Sequence, residues 1–303
     1  MTSQDLIAEL QAGRQRFLAV VGELRPELHR YCARMVGSIA DGEDIVQDTL
    51  ARAYYALSEL EALPPLRPWL FRIAHNRAID FRRRYDQRMQ QPLDAVMASV
   101  HDPDPGPEDT LARDRAVAAA ISQFIELAPL QRSCVILKDV LDHSLEDIAA
   151  LLDVSVPAVK AALHRGRTRL RELADEPDDL PLAKLSDADR DRLGAYVAHF
   201  NARDFDAIRA MIADDVRLEL VSKTRMNGKA EVSRYFGNYD KVGDWRLVSG
   251  LLEGRPAILV FDPNEPDAGP KYFMLLQWSA DKVATIRDFR HAAYVIDGAE
   301  YRI

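Results

Sequence analysis

The stretch "SLEDIAALLDVSVPAVKAALHRGRTRLREL", residues 144–173, decides how the first half of this chain is built. Ser144 is placed to cap one helix, with Asp147 three residues on in capping-box spacing and Ile148, Ala149 and Leu152 facing inward. Asp153 and Val154 make a turn. Ser155 then caps a second helix with Pro157 in its first turn and Val159, Leu163 and Leu170 on the buried side. The pair reads as a helix-turn-helix. Its second helix carries Lys160, Arg165, Arg167, Arg169 and Arg171 with no acid until Glu172, in a chain of net charge −8. A cation-bearing helix held by a partner suits the DNA major groove, where arginine reads guanine and lysine or backbone amides hold phosphates. The surface it would offer comprises Ser155, Lys160, Ala161, His164, Arg165 and Arg167, with Arg169 beside them. A solvated basic face on a core helix is the competing reading of the charge run alone; the capped partner helix and the short turn favour DNA.

Working outward, 303 residues suggest two or three domains, and a hydrophobic fraction of 48% excludes wholesale disorder. The longest uncharged apolar run near the start, "FLAVV" at 17–21, is far short of a signal-peptide core or a membrane span, so a cytoplasmic protein with no membrane partner is the default. Cys32 and Cys134 stand about a hundred positions apart without a CxxC or histidine pattern. Free buried thiols are expected, and neither a metal nor a cofactor is indicated. Residues 1–173 and 174–303 each hold more acids than bases, so any nucleic-acid contact must come from local basic strips.

Two Pro- and Asp-rich breaks, "QQPLDAVMASVHDPDPGPEDT" and "ADEPDDLPLAKLSD", divide the sequence. They predict helical domains at 1–89 and 113–174, linkers at 90–112 and 175–187, and a further domain at 188–303. In "DGEDIVQDTLARAYYAL" Val46, Leu50, Ala53, Tyr54 and Leu57 fall on one helix face, with Asp41 placed to cap. In "RPWLFRIAHNRAIDFRRR" the apolar face is Leu70, Ile73, Ala74, Ala78 and Phe81. Between the linkers the pattern gives four helices, separated at Pro129, at "LDHS" and at "LDVS". After residue 187, helical stretches at 188–200 and 204–213 precede strand-like runs: "VRLELV", "WRLVSGLLEG", "AILVFD", "KYFMLLQWS" and "VATIRDFRHAAYVI". "DPNEPDAGP" reads as a hairpin loop between two of them. That order predicts an α+β domain with an antiparallel curved sheet.

The segments "ADGEDIVQDTLARAYYAL" and "LRPWLFRIAHNRAIDFRRR" closely resemble region two of sigma factors of the extracytoplasmic-function group, and residues 144–173 resemble region four. The resemblance spans roughly residues 10–174. It implies a subunit that directs core RNA polymerase to promoter DNA, with region two a helical bundle and region four a helix-turn-helix. It also implies that the face carrying Glu43, Asp44, Gln47, Asp48 and Arg52 docks on the clamp helices of the polymerase β′ subunit, and that region four meets the β flap and the −35 element. Arg72, His75, Asn76, Arg82, Arg83 and Arg84 form a basic surface suited to the unstacked −10 strand. Trp69 and Phe71, beside it, read as core rings before base platforms. The −10 base pocket is implied within "SELEALPPLRP". The linker acids Asp94, Asp102, Asp104, Glu108 and Asp109 suit a polyanion threading toward the RNA exit path, or equally a soluble tether.

The third domain resembles the SnoaL-like, polyketide-cyclase-related cone fold, known as an extension of some such sigma factors. The expected fold class is thus two all-α sigma domains followed by an α+β SnoaL-like domain. His199, Asp204, Asp288 and His291 are its acid/base candidates. Asp288 and His291, three apart on a predicted strand, would face opposite sides and cannot converge without a bulge. Interdomain contact is favoured over a small-molecule ligand pocket, and both over catalysis; no catalytic residue is assigned. The rival reading, a ligand-sensing protein whose helix-turn-helix makes it an autonomous repressor, leaves "GEDIVQDTLARAYY" and "WLFRIAHNRAID" unexplained.

Overall fold

The computed structural model describes residues 3–57, 64–89, 116, 119–175, 185–239, 242–265 and 267–303. The linker acids at 94–109 and most of the expected base-pocket loop lie outside them. The chain divides into two units, Met1–Pro177 and Asp178–Ile303.

The first unit is helical: α1 (Ser3–Val36), α2 (Ile39–Ala56), α3 (Leu66–Met89), a 3-10 turn (Ile121–Glu126), α4 (Pro129–Val135) running into a π turn (Ile136–Val140), α5 (Leu145–Leu152) and α6 (Val156–Asp175). Of the first helix expected after the linker, Ala116 is helical and Ile121–Glu126 form the 3-10 turn, while residues 113–115 and 117–118 lie outside the described residues. The cap of α2 is Ser38 and not Asp41. The chain leaves α1 through Gly37 at φ +77°, which puts Ser38 in extended conformation, its Oγ accepting from the Asp41 amide at 3.3 Å. On α3, Leu70, Ala74 and Ala78 are fully buried, with Ile73 and Phe81 packed at the margin. Phe71 is core as expected, and both cysteines are buried and free.

One apolar core runs through the whole unit. Leu28, Tyr31, Met35, Phe71 and Ala74 from α1 and α3 pack with Phe124, Leu127, Val135, Leu137 and Ile148 from the later elements. The two helical segments on either side of the linker therefore share an interior.

The second unit opens with α7 (Asp187–Asn201) and α8 (Phe205–Met211), then β1 (Ile212–Leu220), β2 (Thr224–Asn227), α9 (Lys229–Tyr239), β3 (Arg246–Leu252), β4 (Arg255–Phe261), β5 (Tyr272–Ser279), β6 (Lys282–Asp288), a 3-10 turn (Ala293–Ile296) and β7 (Tyr301–Arg302). The sheet order is β2-β1-β6-β5-β4-β3-β7. It is mixed where an antiparallel sheet was expected, because β1 lies parallel to β6, with Leu218 opposite Ile286. The hairpin expected at 262–270 does join the antiparallel strands β4 and β5. Helices α7 and α9 pack through rings: Phe200 lies 5.1 Å from Tyr239 and 5.2 Å from Trp245, both edge-on.

Asp288, at the end of β6, is fully buried in this interior. It accepts hydrogen bonds from Tyr239 Oη at 2.5 Å, Tyr235 Oη at 3.2 Å and the Arg290 amide at 2.9 Å. Burial nevertheless pushes its carboxyl above the ordinary aspartate range, the donors only partly opposing it. A raised folded pKa means that the folded unit takes up a proton the unfolded chain lacks, so the stability tied to Asp288 is present at low pH and is lost as pH rises through the folded value. Asp288→Asn keeps an acceptor oxygen and removes the charge. Urea unfolding followed through Trp245 and Trp278 in a Trp69→Phe background should show stability declining as pH rises from the ordinary aspartate range through the raised folded value, and a shallower decline in Asp288→Asn.

Candidate nucleic-acid interface

The helix-turn-helix forms as its sequence dictates. Ser144 Oγ accepts from the Asp147 amide at 3.0 Å and donates to Asp147 Oδ2 at 2.7 Å, closing the cap of α5. Asp153 makes the turn in the left-handed region at φ +55°, and Ser155 Oγ accepts from the Ala158 amide at 3.3 Å to start α6. On α6, Ser155, Lys160 and His164 are exposed.

The other three residues expected on that face are placed differently. Ala161 is buried at 5% exposure, since it falls on the helix side that packs inward. Arg167 does not reach outward: its Nη2 and Nε donate to Asp139 Oδ1 and Oδ2 at 2.6 and 3.0 Å, and Asp139 is 2% exposed. This two-pronged pair ties the basic helix to the end of the π turn. Arg165 is half-buried, lining a groove of about 410 Å³ with Glu126, Gln131, His164, Thr168, Arg169 and Glu172.

In the first three helices the expected polymerase-docking face also splits. Asp44 and Arg52 are exposed, and Gln47 and Asp48 half-exposed; Asp48 pairs with Arg77 and, at 3.3 Å, with Arg52. Glu43 instead has no exposed surface and accepts from Arg25 Nη2 at 2.5 Å. The cause is its neighbour Gly42: a Cβ there would meet the Ala33 backbone at 2.6 Å, so α1 and α2 approach closely and enclose the next side chain. Tyr54, expected on the apolar face, is 41% exposed and packs against the Phe17 and Tyr55 rings.

The expected strand-binding surface on α3 divides by helix face. Asn76 is exposed in a groove of about 680 Å³ between α2 and α3, lined also by Arg52, Tyr55, Trp69, Ile73, Arg77 and Asp80. Arg83 and Arg84 are exposed, whereas Arg82 is half-buried and paired with Asp86 at 2.7 Å. On the other face His75 Nδ1 lies 2.8 Å from Tyr31 Oη, with burial pulling its pKa down, and Arg72 Nη2 donates to the Ala150 carbonyl at 3.0 Å. Sequence reasoning passed over Tyr55, which is 75% exposed at the groove. Its place three residues after Arg52, on the polar side of α2, was the signal for it.

In the second unit, His199 and Asp204 meet at 3.2 Å on the surface, where Asp204 caps α8. His291 lies beyond the end of β6, exposed, 3.3 Å from Lys223 Nζ, apart from buried Asp288. Neither pair forms an enclosed acid/base site. Among the described residues no three His, Cys, Asp or Glu side chains gather as a metal site, and no helix is long and apolar enough to cross a membrane.

Comparison with known proteins gives two family matches: sigma-70 region 2 over residues 20–88 and sigma-70 region 4 over residues 120–170. The sigma factor SigG of Mycobacterium tuberculosis is 28% identical over 303 residues, covering 91% of this chain and 81% of SigG. CnrH of Cupriavidus metallidurans, also a sigma factor, is 31% identical over 179 residues, 56% of this chain and 93% of CnrH. Among solved structures, Mycobacterium tuberculosis SigJ aligns at TM-score 0.34 and 19% identity, over 89% of this chain and 95% of SigJ.

The placement of Glu43 makes a stability prediction. Arg25→Ala leaves a carboxylate enclosed without its cation and should cost about 3 kcal/mol of folding free energy. Asp44→Ala, one position on and exposed, should change it by less than about 0.5 kcal/mol. Urea unfolding read from Trp69 fluorescence measures both.

Proposed function

The chain belongs to the extracytoplasmic-function sigma factors, RNA polymerase subunits that start transcription at chosen promoters, and from that membership we propose how its parts divide the work. Such a factor is not an enzyme; what it contributes is recognition. The observation that carries our reading is the recognition helix α6, capped by Ser155, anchored by the Arg167–Asp139 pair, and presenting Lys160 and His164 to solvent.

In this reading α6 enters the major groove of the −35 element. Lys160 holds a phosphate, Arg165 swings from its groove to read a base, and Arg167 orients the helix without touching DNA. The α2–α3 groove, with Asn76 and flanked along α3 by Arg83 and Arg84, takes the unstacked −10 strand, where an aromatic ring such as Tyr55 supplies a stacking face. Asp44, Gln47, Asp48 and Arg52 form the polymerase-docking face, with Glu43 supporting it from inside.

The second unit acts in cis. Asp175 ends α6 and Asp187 begins α7, so a short tether keeps the effective concentration of one unit around the other high, and a weak contact suffices to regulate. In vitro transcription by full-length chain and by a chain ending at Pro177 tests this. Altered promoter-dependent output on truncation supports regulation, and identical output removes it.

Lys160→Ala should weaken binding to all DNA sequences alike and lower the slope of log affinity against log salt by about 1. Arg165→Ala should cost roughly 1–3 kcal/mol and relax preference at one base pair. Promoter binding titrations at several salt concentrations check both.

A further inference from the structure

The second unit holds more acids than bases, yet one face of its sheet gathers cations. Alternation along β1 turns Val216, Leu218 and Leu220 into the core and leaves Arg217 and Glu219 on the opposite side. The register sets Asn227 and Thr285 beside Arg217, and Arg225 and Arg287 beside Glu219. Glu219 Oε1 accepts from Arg225 Nη2 at 2.9 Å and Oε2 from Arg287 Nε at 2.9 Å. One carboxylate thus orients two guanidiniums and neutralises one charge. The β1–β2 turn closes with the Lys223 amide donating to the Leu220 carbonyl at 2.9 Å. It brings Lys223 Nζ to 3.3 Å from His291 Nε2, beyond the end of β6. Burial and the Lys223 charge together pull the His291 pKa down. Arg217, Lys223 and Arg225 are exposed. Of the unit's acids, Asp214 and Asp215 stand toward the other end of β1, Asp214 against Lys229 at 3.9 Å, and Asp187, Asp189, Asp204 and Asp206 start α7 and α8.

We propose that this face is a second DNA-contacting surface, lying along the backbone of the duplex upstream of the −35 element once α6 is seated there. The proposal rests on the reading of α6 as the −35 helix. It adds a contact outside the sigma regions that is indifferent to base sequence, because a flat sheet face meets phosphates and does not enter a groove.

Charge and reach both favour duplex DNA as the occupant. The row Arg225, Glu219, Arg287 crosses three strands, or about 10 Å, and a duplex carries one negative charge per ~1.7 Å of its axis, so several phosphates oppose the patch. The chain between Asp175, which ends α6, and Asp187, which begins α7, extends at most about 40 Å, the length of roughly 12 base pairs. The spacer side of the −35 element leads to the −10 strand and the polymerase, whereas the upstream flank is open duplex. At that reach even a few phosphate contacts are populated.

The test uses the full chain assembled with core RNA polymerase, on two promoter duplexes. One ends at the upstream edge of the −35 element, and the other continues about 20 base pairs further, beyond the reach of the connecting chain. The variant is Arg217→Gln with Lys223→Gln, both exposed and outside the Glu219 ion pairs. On the long duplex the wild type should show a slope of log affinity against log salt steeper than the variant's by about 2, so that between about 50 and 200 mM salt it loses about tenfold more affinity. On the short duplex the two should be equal. Position is read by iron–EDTA attached to the chain before assembly. Cys32 and Cys134 are buried, so the label is directed to Thr224→Cys, exposed on β2, or to Glu300→Cys, exposed beside β7 at the other edge of the sheet. Thr224→Cys should cut DNA upstream of the −35 element, and Glu300→Cys should cut it less.

Equal slopes for wild type and variant on the long duplex overturn the surface, as does the same difference on both duplexes. Cuts within residues 90–112 of the chain in place of DNA assign the face to the acidic linker and overturn it as well. Scrambling the −35 sequence without loss of affinity removes the reading of α6, while the variant's slope on the long duplex still decides the sheet face.

Discussion

The Arg132 guanidinium, buried between the Met35 carbonyl on one side and the Ile125 and Leu127 carbonyls on the other, fixes how the helices of the first unit meet. A buried cation needs acceptors for its donors, and for both Nη groups carbonyls at the ends of α1 and of the 3-10 turn supply them. Around it the apolar side chains of α1, α3, α4 and α5 close into one interior. The Tyr31 bridge to His75 and Ser133 and the Arg72 bond to Ala150 follow from that docking. Which residues of α3 face solvent is therefore settled by what lies across from α3, as much as by α3 itself.

Three acids illustrate one rule. Glu43, Asp139 and Asp288 are all enclosed, and each is met by donors: Arg25, Arg167, or a pair of tyrosines with a backbone amide. The first two use an arginine to join separate elements, α1 to α2 and α6 to the π turn. Their worth lies less in net stability, where desolvation offsets much of the attraction, than in fixing one geometry for the helices that carry function. Asp288 has no such strong partner among its hydrogen bonds, and burial accordingly shifts its carboxyl upward.

Division of labour along α6 follows from the same packing. Lys160 and His164 are exposed, and Arg167, one turn on, pairs with Asp139 and holds the helix. A basic strip read from sequence as one functional face is thus partly an anchor. The same holds on α3, where Arg82 is drawn to Asp86 one turn later, and Arg83 and Arg84 are left to solvent.

Local chemistry by itself determined much of this protein. The Ser144–Asp147 capping box, the Asp153 turn, the Ser155 cap, the Leu70–Ala74–Ala78 stripe and the strand runs of the second unit are written in spacing that acts over a few residues, and the family motifs stand in the same segments. Helix α9 was also legible, since Val232, Tyr235, Phe236 and Tyr239 recur at helical intervals and are all buried; the strands around it drew the reading away. What only tertiary structure decided depends on partners distant in sequence. Glu43 looks like a surface acid until Gly42 brings α1 within contact, Arg167 looks like a DNA contact until Asp139 lies opposite, and β1 pairs in parallel with β6 only once the chain has returned through α9 and three hairpins. A charged side chain has the same helical position whether it meets water or a buried counter-charge, and the choice between them belongs to the surface that packs against it.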